Sequence, residues 1–328
     1  MKRSQLTAFG KVSEVLRVEE AAVPTPGEGE LLLAMLAAPI NPADLNIIEG
    51  KYGVLPELPA VIGNEGVGRV TQCGAGVTGF APGDLVLPMR WGTWAEFMTA
   101  SAEEAIKLPS DLDPLQAAML SVNPLSAWGM LEEFVDLQKG DWIVQNAANS
   151  AVGRSVIQIA KVCGWKSLNV VRRPELVEEL KALGADEVVL EDLDLRHEIE
   201  NLCGSDRPRL GLNAVGGASA LNLANALGDG GTLVTYGAMS RQPLKLPNGL
   251  LIFRNLVFQG FWLKKWTQQL SAVQRQEIMA GLAELVRTGR LQMPVQRVFA
   301  LAELEAAIAE ANEDNRSGKV LLNLNGAV

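Results

Sequence analysis

Tyr52 and Tyr236 are the only tyrosines of the 328-residue chain, and either one could act as a proton donor. A tyrosine hydroxyl can give its proton to a carbanion that forms during a reaction and can recover a proton from water. Tyr52 lies in "NPADLNIIEGKYGVLPELPAVIGNEG", between a short helical stretch and a loop rich in Gly and Pro, and Tyr236 ends the predicted strand "GTLVTY". Both are candidates for a general acid, although a lone tyrosine more often only satisfies a loop hydrogen bond.

Metal ligands are scarce in this sequence. A catalytic zinc site needs three ligands from Cys, His, Asp or Glu and one open position. The only histidine, His197, lies among charged residues in "LDLRHEIENL", with no cysteine in that stretch. The three cysteines, Cys73, Cys163 and Cys203, are too few for a four-cysteine zinc site and too scattered for a disulfide framework. The sequence predicts no bound metal.

Composition excludes several classes of protein. The net charge of −9 disfavours non-specific nucleic-acid binding, which depends on a basic surface. No apolar run is long enough to predict a membrane span. The start, "MKRSQLTAFGKV", has neither an apolar core nor a small-residue cleavage site, so we expect a cytoplasmic protein. The alternative is an organellar protein whose presequence has been removed.

A turn with small residues predicts a dinucleotide site. "NAANSAVG", 146–153, follows a predicted strand and opens a predicted helix, whose first amides can bind a diphosphate. Only Gly153 of the usual three glycines is present, so the motif is weak without this context. The alternative is a plain tight turn between strand and helix.

The end of the second predicted strand indicates the nucleotide. NAD-specific sites place Asp or Glu there to hold the ribose hydroxyls. Here "LNVV" is followed by Arg172 and Arg173, whose guanidinium groups suit a 2′-phosphate. The sequence therefore favours NADPH, with two solvated arginines as the alternative.

The elements that position these residues form two patterns. From Asp141 onward, predicted strands alternate with helices, which is typical of a doubly wound parallel sheet. These strands are "DWIVQNA" (141–147), "SLNVV" (167–171), "DEVVL" (186–190), "LGLNAVGG" (210–217), "GTLVTYG" (231–237) and "LVFQGFW" (256–262).

The first 120 residues instead read as short strands separated by Gly and Pro, without regular helices between them. We expect an α/β protein in which residues 1–121 and 266–328 form a β-rich catalytic domain. The Rossmann-fold cofactor domain, 122–265, is inserted into it.

Several stretches together resemble the zinc-free medium-chain dehydrogenases/reductases, specifically the 2-enoyl thioester reductases of the mitochondrial type. The most specific is "INPADLNIIEGKYGVLPELPAVIGNEGVG", and the others are "VNPLSAW", "IVQNAANSAVGRSVIQIA", "LNVVRR", "VTYGAM", "LLIFRNLVFQGFWL" and "SGKVLL". The resemblance implies that the β-rich domain is GroES-like.

It also implies roles for individual residues. Tyr52 would be the proton donor, and Asn64 would occupy the position of a metal ligand in the zinc enzymes. The implied NADPH contacts are Asn123, Asn149, Ser150, Ala151, Val152, Arg172, Arg173, Tyr236, Gly237, Ala238, Met239, Phe261, Trp262, Leu263 and Lys319. Two differences from the family weaken this assignment of roles. The family often has Gly at the position of Ala151. Its loop after the second strand can also be one residue longer, which leaves the role of Arg173 open.

The activity implied by the resemblance is NADPH-dependent reduction of a trans-2-enoyl thioester of coenzyme A or acyl carrier protein, by a homodimer. The alternative enzyme is a zinc-free NADPH quinone oxidoreductase. A non-catalytic protein that binds NADPH as a sensor is the alternative from another class.

Overall fold

The structure, a computed structural model, describes residues 1–191, 195–204, 206–313 and 316–326. Its strands are β1 (Lys2–Leu6), β2 (Leu16–Glu20), β3 (Glu30–Pro39), β4 (Val67–Cys73), β5 (Leu85–Leu87), β6 (Phe97–Ser101), β7 (Ile106–Leu108), β8 (Trp142–Gln145), β9 (Lys166–Val171), β10 (Glu187–Leu190), β11 (Leu210–Asn213), β12 (Thr232–Thr235), β13 (Val257–Gly260), β14 (Val295–Ala300) and β15 (Lys319–Asn323). Its helices are α1 (Val12–Val15), α2 (Pro42–Ile48), α3 (Pro114–Ala118), α4 (Asn123–Glu133), α5 (Ala151–Cys163), α6 (Leu176–Leu183), α7 (Leu195–Cys203), α8 (Gly217–Ala226), α9 (Asn248–Ile252), α10 (Leu263–Gln269), α11 (Ala272–Arg287) and α12 (Leu304–Ala311). A 3-10 turn, Leu301–Glu303, precedes α12.

The first of two structural units comprises Met1–Val122 and Ser271–Val328. Its main sheet has the order β14-β15-β3-β4-β5-β7, with β6 also paired to β3, and β1 and β2 form a separate hairpin. Strand β3, "ELLLAMLAAP", is buried along nearly its whole length because its continuous apolar run has neighbours on both faces. The strands of this unit agree with the predicted β-rich, GroES-like part of the fold.

The second unit, Asn123–Leu270, contains a six-stranded parallel sheet in the order β10-β9-β8-β11-β12-β13. This is the Rossmann strand order. The chain adds strands to one side of β8 and then, from β11 onward, to the other side, and such folds bind ligands at this point, at the carboxyl ends of the strands. The predicted α/β class and doubly wound parallel sheet are confirmed. The predicted domain boundary between residues 265 and 266 falls inside α10, which the structure keeps whole within this unit.

A short helix interrupts the strands of the first unit. Helix α2 lies between β3 and β4, at the short helical stretch expected before Tyr52. It forms because Pro42 stands in its first turn and Asn41 and Asp44 close a capping box at its start. Among the described residues, no helix is both long and apolar enough to cross a bilayer.

Candidate active site

The turn after β8 is shaped for close approach of a ligand backbone. Ser150 caps α5, and its Oγ accepts a hydrogen bond from the Gly153 amide at 3.1 Å. A Cβ on Gly153 would lie 2.5 Å from the Ala148 carbonyl oxygen, so only glycine fits this position. Ala147 has φ of 46°, a left-handed conformation that costs a non-glycine residue energy.

The residues around this turn fit a bound dinucleotide. Within the described part of the chain, the amides of Ala151 and Val152 donate no hydrogen bond, and they stand at the positive end of the 13-residue helix α5. The Tyr236 hydroxyl is enclosed and meets no described partner in hydrogen-bond geometry. Donors left open at a helix N-terminus, beside an enclosed hydroxyl, match a diphosphate and its attached groups.

Arg172 and Arg173 differ in their surroundings. Arg172 directly follows β9, is exposed, and forms no ion pair with a described residue. The Arg173 guanidinium lies 3.6 Å from the Glu175 carboxylate. Arg172 thus has no described ion-pair partner, whereas Arg173 has a carboxylate nearby.

The segment Tyr236–Met239 is held against the loop after β11. The Tyr236 amide donates to the Asn213 carbonyl at 3.0 Å, and the Met239 amide donates to the Ala214 carbonyl at 3.0 Å. A Cβ on Gly237 would lie 2.8 Å from the Ala214 carbonyl oxygen, so this close packing also requires glycine.

Two buried asparagines that sequence reasoning missed organise the same edge. Asn146 Nδ2 donates to Asn213 Oδ1 and to Ser219 Oγ, each at 2.9 Å. Asn213 Oδ1 also accepts from the amides of Val215 and Gly216, so its side chain fixes the turn after β11. The available signal was an asparagine at or just after the end of a predicted buried strand, in both "VQN" and "GLN".

The remaining predicted contacts of the second unit lie around α4 and α10. Phe261 is buried, with its ring centroid 6.2 Å from that of Phe134 and 5.9 Å from that of Trp266. Trp262 is exposed, and Leu263 begins α10. Asn123, also buried, begins α4.

The two tyrosines occupy different environments. Tyr52 is half-buried on the loop after α2, where its ring packs against the core of the first unit. Tyr236 belongs to the second unit, and burial raises its pKa well above the usual value, while the nearby Ser150 side chain acts in the opposite direction. A raised pKa makes Tyr236 a weaker acid than an ordinary tyrosine, and the role of Tyr52 as the proton donor stays a prediction.

Asn64 belongs to a buried polar cluster in the first unit, which we call the acidic cluster. It consists of Asn41, Asp44, Asn64, Glu65 and Lys319. Asp44 Oδ1 accepts from the backbone amide of Asn64 at 2.9 Å and from its side-chain amide at 2.7 Å. Asn41 Nδ2 donates to Glu65 Oε1 at 2.7 Å, while the Lys319 ammonium donates to Asn41 Oδ1. Lys319 is thus buried in the first unit, and its predicted contact with NADPH stays a prediction.

The acidic cluster brackets the loop that carries Tyr52. Asp44 precedes this loop and Asn64 follows it, so the bonds between them join its two ends. The backbone at Gly63, with φ of 109°, has no room for a side chain, since a Cβ would lie 2.5 Å from Trp94 Cδ1. Among the described residues, no group of three Cys, His, Asp or Glu is arranged to hold a metal ion.

Burial dominates the ionisation of the acidic cluster. It raises the pKa of Asp44 to about 7 and that of Glu65 to about 7, and it lowers the pKa of Lys319 to about 8. The Lys319 charge opposes the rise for both carboxyls, and Arg316 contributes to the lowered pKa of Lys319.

These shifts predict a pH-dependent stability difference between wild type and Glu65→Gln. The pKa of Glu65 rises from 4.5 in the unfolded chain to about 7 in the fold, so its contribution to stability is lost as pH rises through this window. Gln cannot ionise, so the Tm of the variant minus that of wild type should increase between about pH 5 and about pH 8. A difference that stays constant, or that decreases with pH, would contradict the assignment. Glu284→Gln, at an exposed pair with Arg287, should show no such increase.

The sheet topology brings one part of the predicted site together. Asn149–Val152, Arg172 and Tyr236–Met239 follow the carboxyl ends of β8, β9 and β12, which all open on the same edge of the parallel sheet. Tyr52 and Lys319 belong to the other unit.

Family models match parts of this chain, and known proteins and structures match nearly its whole length. Two family models match it, "Alcohol dehydrogenase GroES-like domain" over residues 27–110 and "Zinc-binding dehydrogenase" over residues 151–276. The human mitochondrial enoyl-[acyl-carrier-protein] reductase is 44% identical over 96% of this chain and 85% of its own length.

Solved structures named as a quinone reductase and as enoyl thioester reductases both resemble this chain. A Bacillus thuringiensis protein named as an NADPH:quinone reductase superposes with a TM-score of 0.91 and 31% identity, covering 98% of both chains. Etr1p in complex with NADP and crotonyl-CoA has a TM-score of 0.88 and 29% identity, over 98% of this chain and 99% of its own. The Etr1p/Etr2p heterodimer of Candida tropicalis, a mitochondrial 2-enoyl thioester reductase, has a TM-score of 0.87 and 30% identity over the same shares. The chain therefore belongs to the family of the mitochondrial enoyl-[acyl-carrier-protein] reductases, within the medium-chain dehydrogenases/reductases.

Proposed function

We propose that this protein uses NADPH to reduce trans-2-enoyl thioesters to saturated acyl thioesters, with hydride added at C3 and a proton at C2. The observation that carries the proposal is the 44% identity with the human enoyl-[acyl-carrier-protein] reductase over 96% of the chain. Etr1p, whose structure contains NADP and crotonyl-CoA, supports the same class of small acyl thioester substrate. Thioesters of both coenzyme A and acyl carrier protein belong to this class.

Tyr52 has the chemical task in this proposal. NADPH, when bound, supplies the hydride. Addition at C3 leaves an enolate, and the Tyr52 hydroxyl transfers its proton to C2 and regains one from water. The bonds between Asp44 and Asn64 support this role, because they hold both ends of the loop that carries Tyr52.

The second unit has the task of binding the cofactor. The free amides at the start of α5 suit the diphosphate, and the exposed Arg172 guanidinium suits the 2′-phosphate. The contacts assigned to Asn123, Tyr236–Met239 and Phe261–Leu263 are part of the proposal.

Quinone reduction is the second candidate function. The structure named as an NADPH:quinone reductase, with its TM-score of 0.91, is the observation that favours it. The two reactions differ in their need for an acid, because a reduced quinone carries its charge on oxygen, which water protonates without a fixed donor.

Isotope tracing tests the proposed reaction at the level of bonds. Deuterium from the reactive position of NADPH should appear at C3 of the butyryl product from crotonyl-CoA. In a separate reaction in D₂O, deuterium should appear at C2. The absence of a saturated product, or cofactor deuterium at C2, would contradict the proposal.

We also infer that the protein forms a homodimer through β13. This strand is last in the sheet order, so its outer edge has no partner among the described strands. Apolar side chains beside it are unusually exposed: Phe253 by 83%, Ile252 by 69% and Leu251 by 49%. An unpaired edge with exposed apolar residues next to it is typical of strand-to-strand association.

Phe253→Asp should therefore convert the dimer to monomers in sedimentation experiments at micromolar concentration, because it places a charge in an apolar interface. Leu190→Asp is the matched control. It adds the same charge at an exposed leucine on β10, the opposite edge strand, and should leave the dimer intact. A wild-type monomer, or equal dissociation of both variants, would refute the β13 interface.

The cytoplasmic location that the N-terminal sequence indicates stays a prediction, and the relatives in this family are named as mitochondrial proteins.

A further inference from the structure

Arg154 is a buried cation with no role in the reaction described above. It is the fourth residue of α5, and only 6% of its surface is exposed. An arginine this buried needs partners for its charge and donors, because removing an unpaired guanidinium from water is costly. Its partners show what it holds in place.

The first partner belongs to the dinucleotide turn. Arg154 Nε donates to the Asn149 carbonyl oxygen at 3.0 Å. In a trans peptide the N–H points opposite to the C=O, so this bond also orients the Ser150 amide, which donates to the Ala147 carbonyl at 2.9 Å. A single side chain thus fixes the peptide between Asn149 and Ser150.

Rotation of that peptide would harm anion binding. It would break the bond from Ser150 to Ala147 and turn a carbonyl oxygen away from Arg154. The turn has reason to relax in this way, because Ala147 is held at a φ of 46°. The bond from Arg154 opposes this relaxation. It therefore holds the turn that precedes the free amides of Ala151 and Val152.

The second partner belongs to the neighbouring helix. Arg154 Nη2 donates to Glu179 Oε1 at 2.6 Å, and the Glu179 side chain is 44% exposed. Glu179 lies on α6, which follows the loop that contains Arg172. The ion pair anchors the guanidinium so that Nε faces the turn.

We propose that Arg154 is a positioning residue of the NADPH site: it fixes the peptide after Asn149 so that the start of α5 presents its amides to the diphosphate. This inference rests on the proposed binding of NADPH. The diphosphate is common to both nicotinamide dinucleotides. Arg154 should therefore contribute equally to the affinities for NADPH and NADH, whereas Arg172 should contribute to the affinity for NADPH alone.

The test is direct binding of NADPH and NADH to the purified protein by calorimetry, together with its Tm. Arg154→Met removes the donors but keeps an unbranched apolar stem. It should raise both dissociation constants by the same factor, about 10- to 100-fold, because the free protein can then relax out of the binding conformation, and restoring that conformation costs up to about the energy of the lost bond to the turn. Arg154→Lys keeps the charge without the planar fork and should raise both by at least about threefold.

Arg254→Met is the matched control for a purely structural effect. Arg254 bonds to Asp229 and to backbone carbonyls that include Asn225, and it precedes β13 at the amino edge of the same sheet. Its loss should lower the Tm and leave both dissociation constants unchanged. Amide hydrogen exchange gives a second readout: exchange at Ser150 should accelerate in Arg154→Met and not in Arg254→Met.

Three results would overturn the role of Arg154. They are unchanged dissociation constants in a folded Arg154→Met, a loss confined to NADPH, and, if Arg154→Met does not fold, unchanged binding in Arg154→Lys. A wild-type protein that binds neither dinucleotide would instead refute the cofactor assignment, and with it the inference.

Discussion

Tyr52→Phe should reduce the rate of crotonyl-CoA reduction by at least about a hundredfold, because a positioned general acid contributes roughly 10²- to 10⁴-fold to proton transfer. The substitution keeps the aromatic ring that packs against the core of the first unit and deletes only the hydroxyl. The Tm and the dissociation constant for NADPH should change little. Stopped-flow or steady-state measurement of NADPH oxidation at saturating crotonyl-CoA gives the rate directly.

Tyr236→Phe is the comparison variant for this experiment. Its hydroxyl is enclosed and its pKa is raised by burial, so its loss should reduce the same rate by less than about tenfold. Any quinone reduction should also fall far less than crotonyl-CoA reduction in Tyr52→Phe. If Tyr52→Phe stays within a few-fold of wild type, Tyr52 is not the acid and quinone reduction becomes the better assignment. A larger loss in Tyr236→Phe would instead make Tyr236 the acid.

Arg172→Ala should weaken the binding of NADPH by about 10- to 150-fold and leave the binding of NADH nearly unchanged. A hydrogen bond to a charged group contributes on the order of 1.5 to 3 kcal/mol, and only NADPH carries the 2′-phosphate. The exposed position of Arg172 directly after β9 supports this expectation. Dissociation constants for both cofactors, measured at one fixed salt concentration, provide the comparison.

Arg173→Ala is the matched control, because the Arg173 guanidinium already lies beside Glu175 at 3.6 Å. Arg173→Ala should weaken the binding of NADPH clearly less than Arg172→Ala does. Equal weakening of NADPH and NADH by Arg172→Ala would contradict the assignment of the 2′-phosphate to this residue.

The cofactor unit was predictable because its signals are local in sequence. Apolar strands alternating with helices predict a parallel sheet, and the turn "NAANSAVG" and Arg172 follow strand ends, where such sheets bind ligands. Helix α2 was expected only as a short helical stretch before Tyr52, because its bounds depend on a capping box around Asn41 and Asp44 and not on a long periodic pattern.

The buried residues that hold the site residues in place could not be predicted, because their contacts join distant parts of the chain. The Lys319 ammonium reaches Asn41 across most of the sequence, and Arg154 reaches Glu179 on another helix. A sequence shows a lysine in "SGK" or an arginine in "VGRS", but burial and partners exist only after the strands are paired. The environment, and not the residue type, gives Lys319 its lowered pKa and Arg154 its fixed position.

The rate of NADPH oxidation with crotonyl-CoA, with a quinone and with neither tests the central claim most directly. The proposed function predicts that crotonyl-CoA is reduced at least about tenfold more efficiently, in kcat/KM, than the quinone, with negligible oxidation when neither is present. A higher kcat/KM for the quinone would make this protein a quinone reductase. Tight NADPH binding without oxidation by either substrate would contradict an enzymatic role and would indicate a protein that only binds the cofactor.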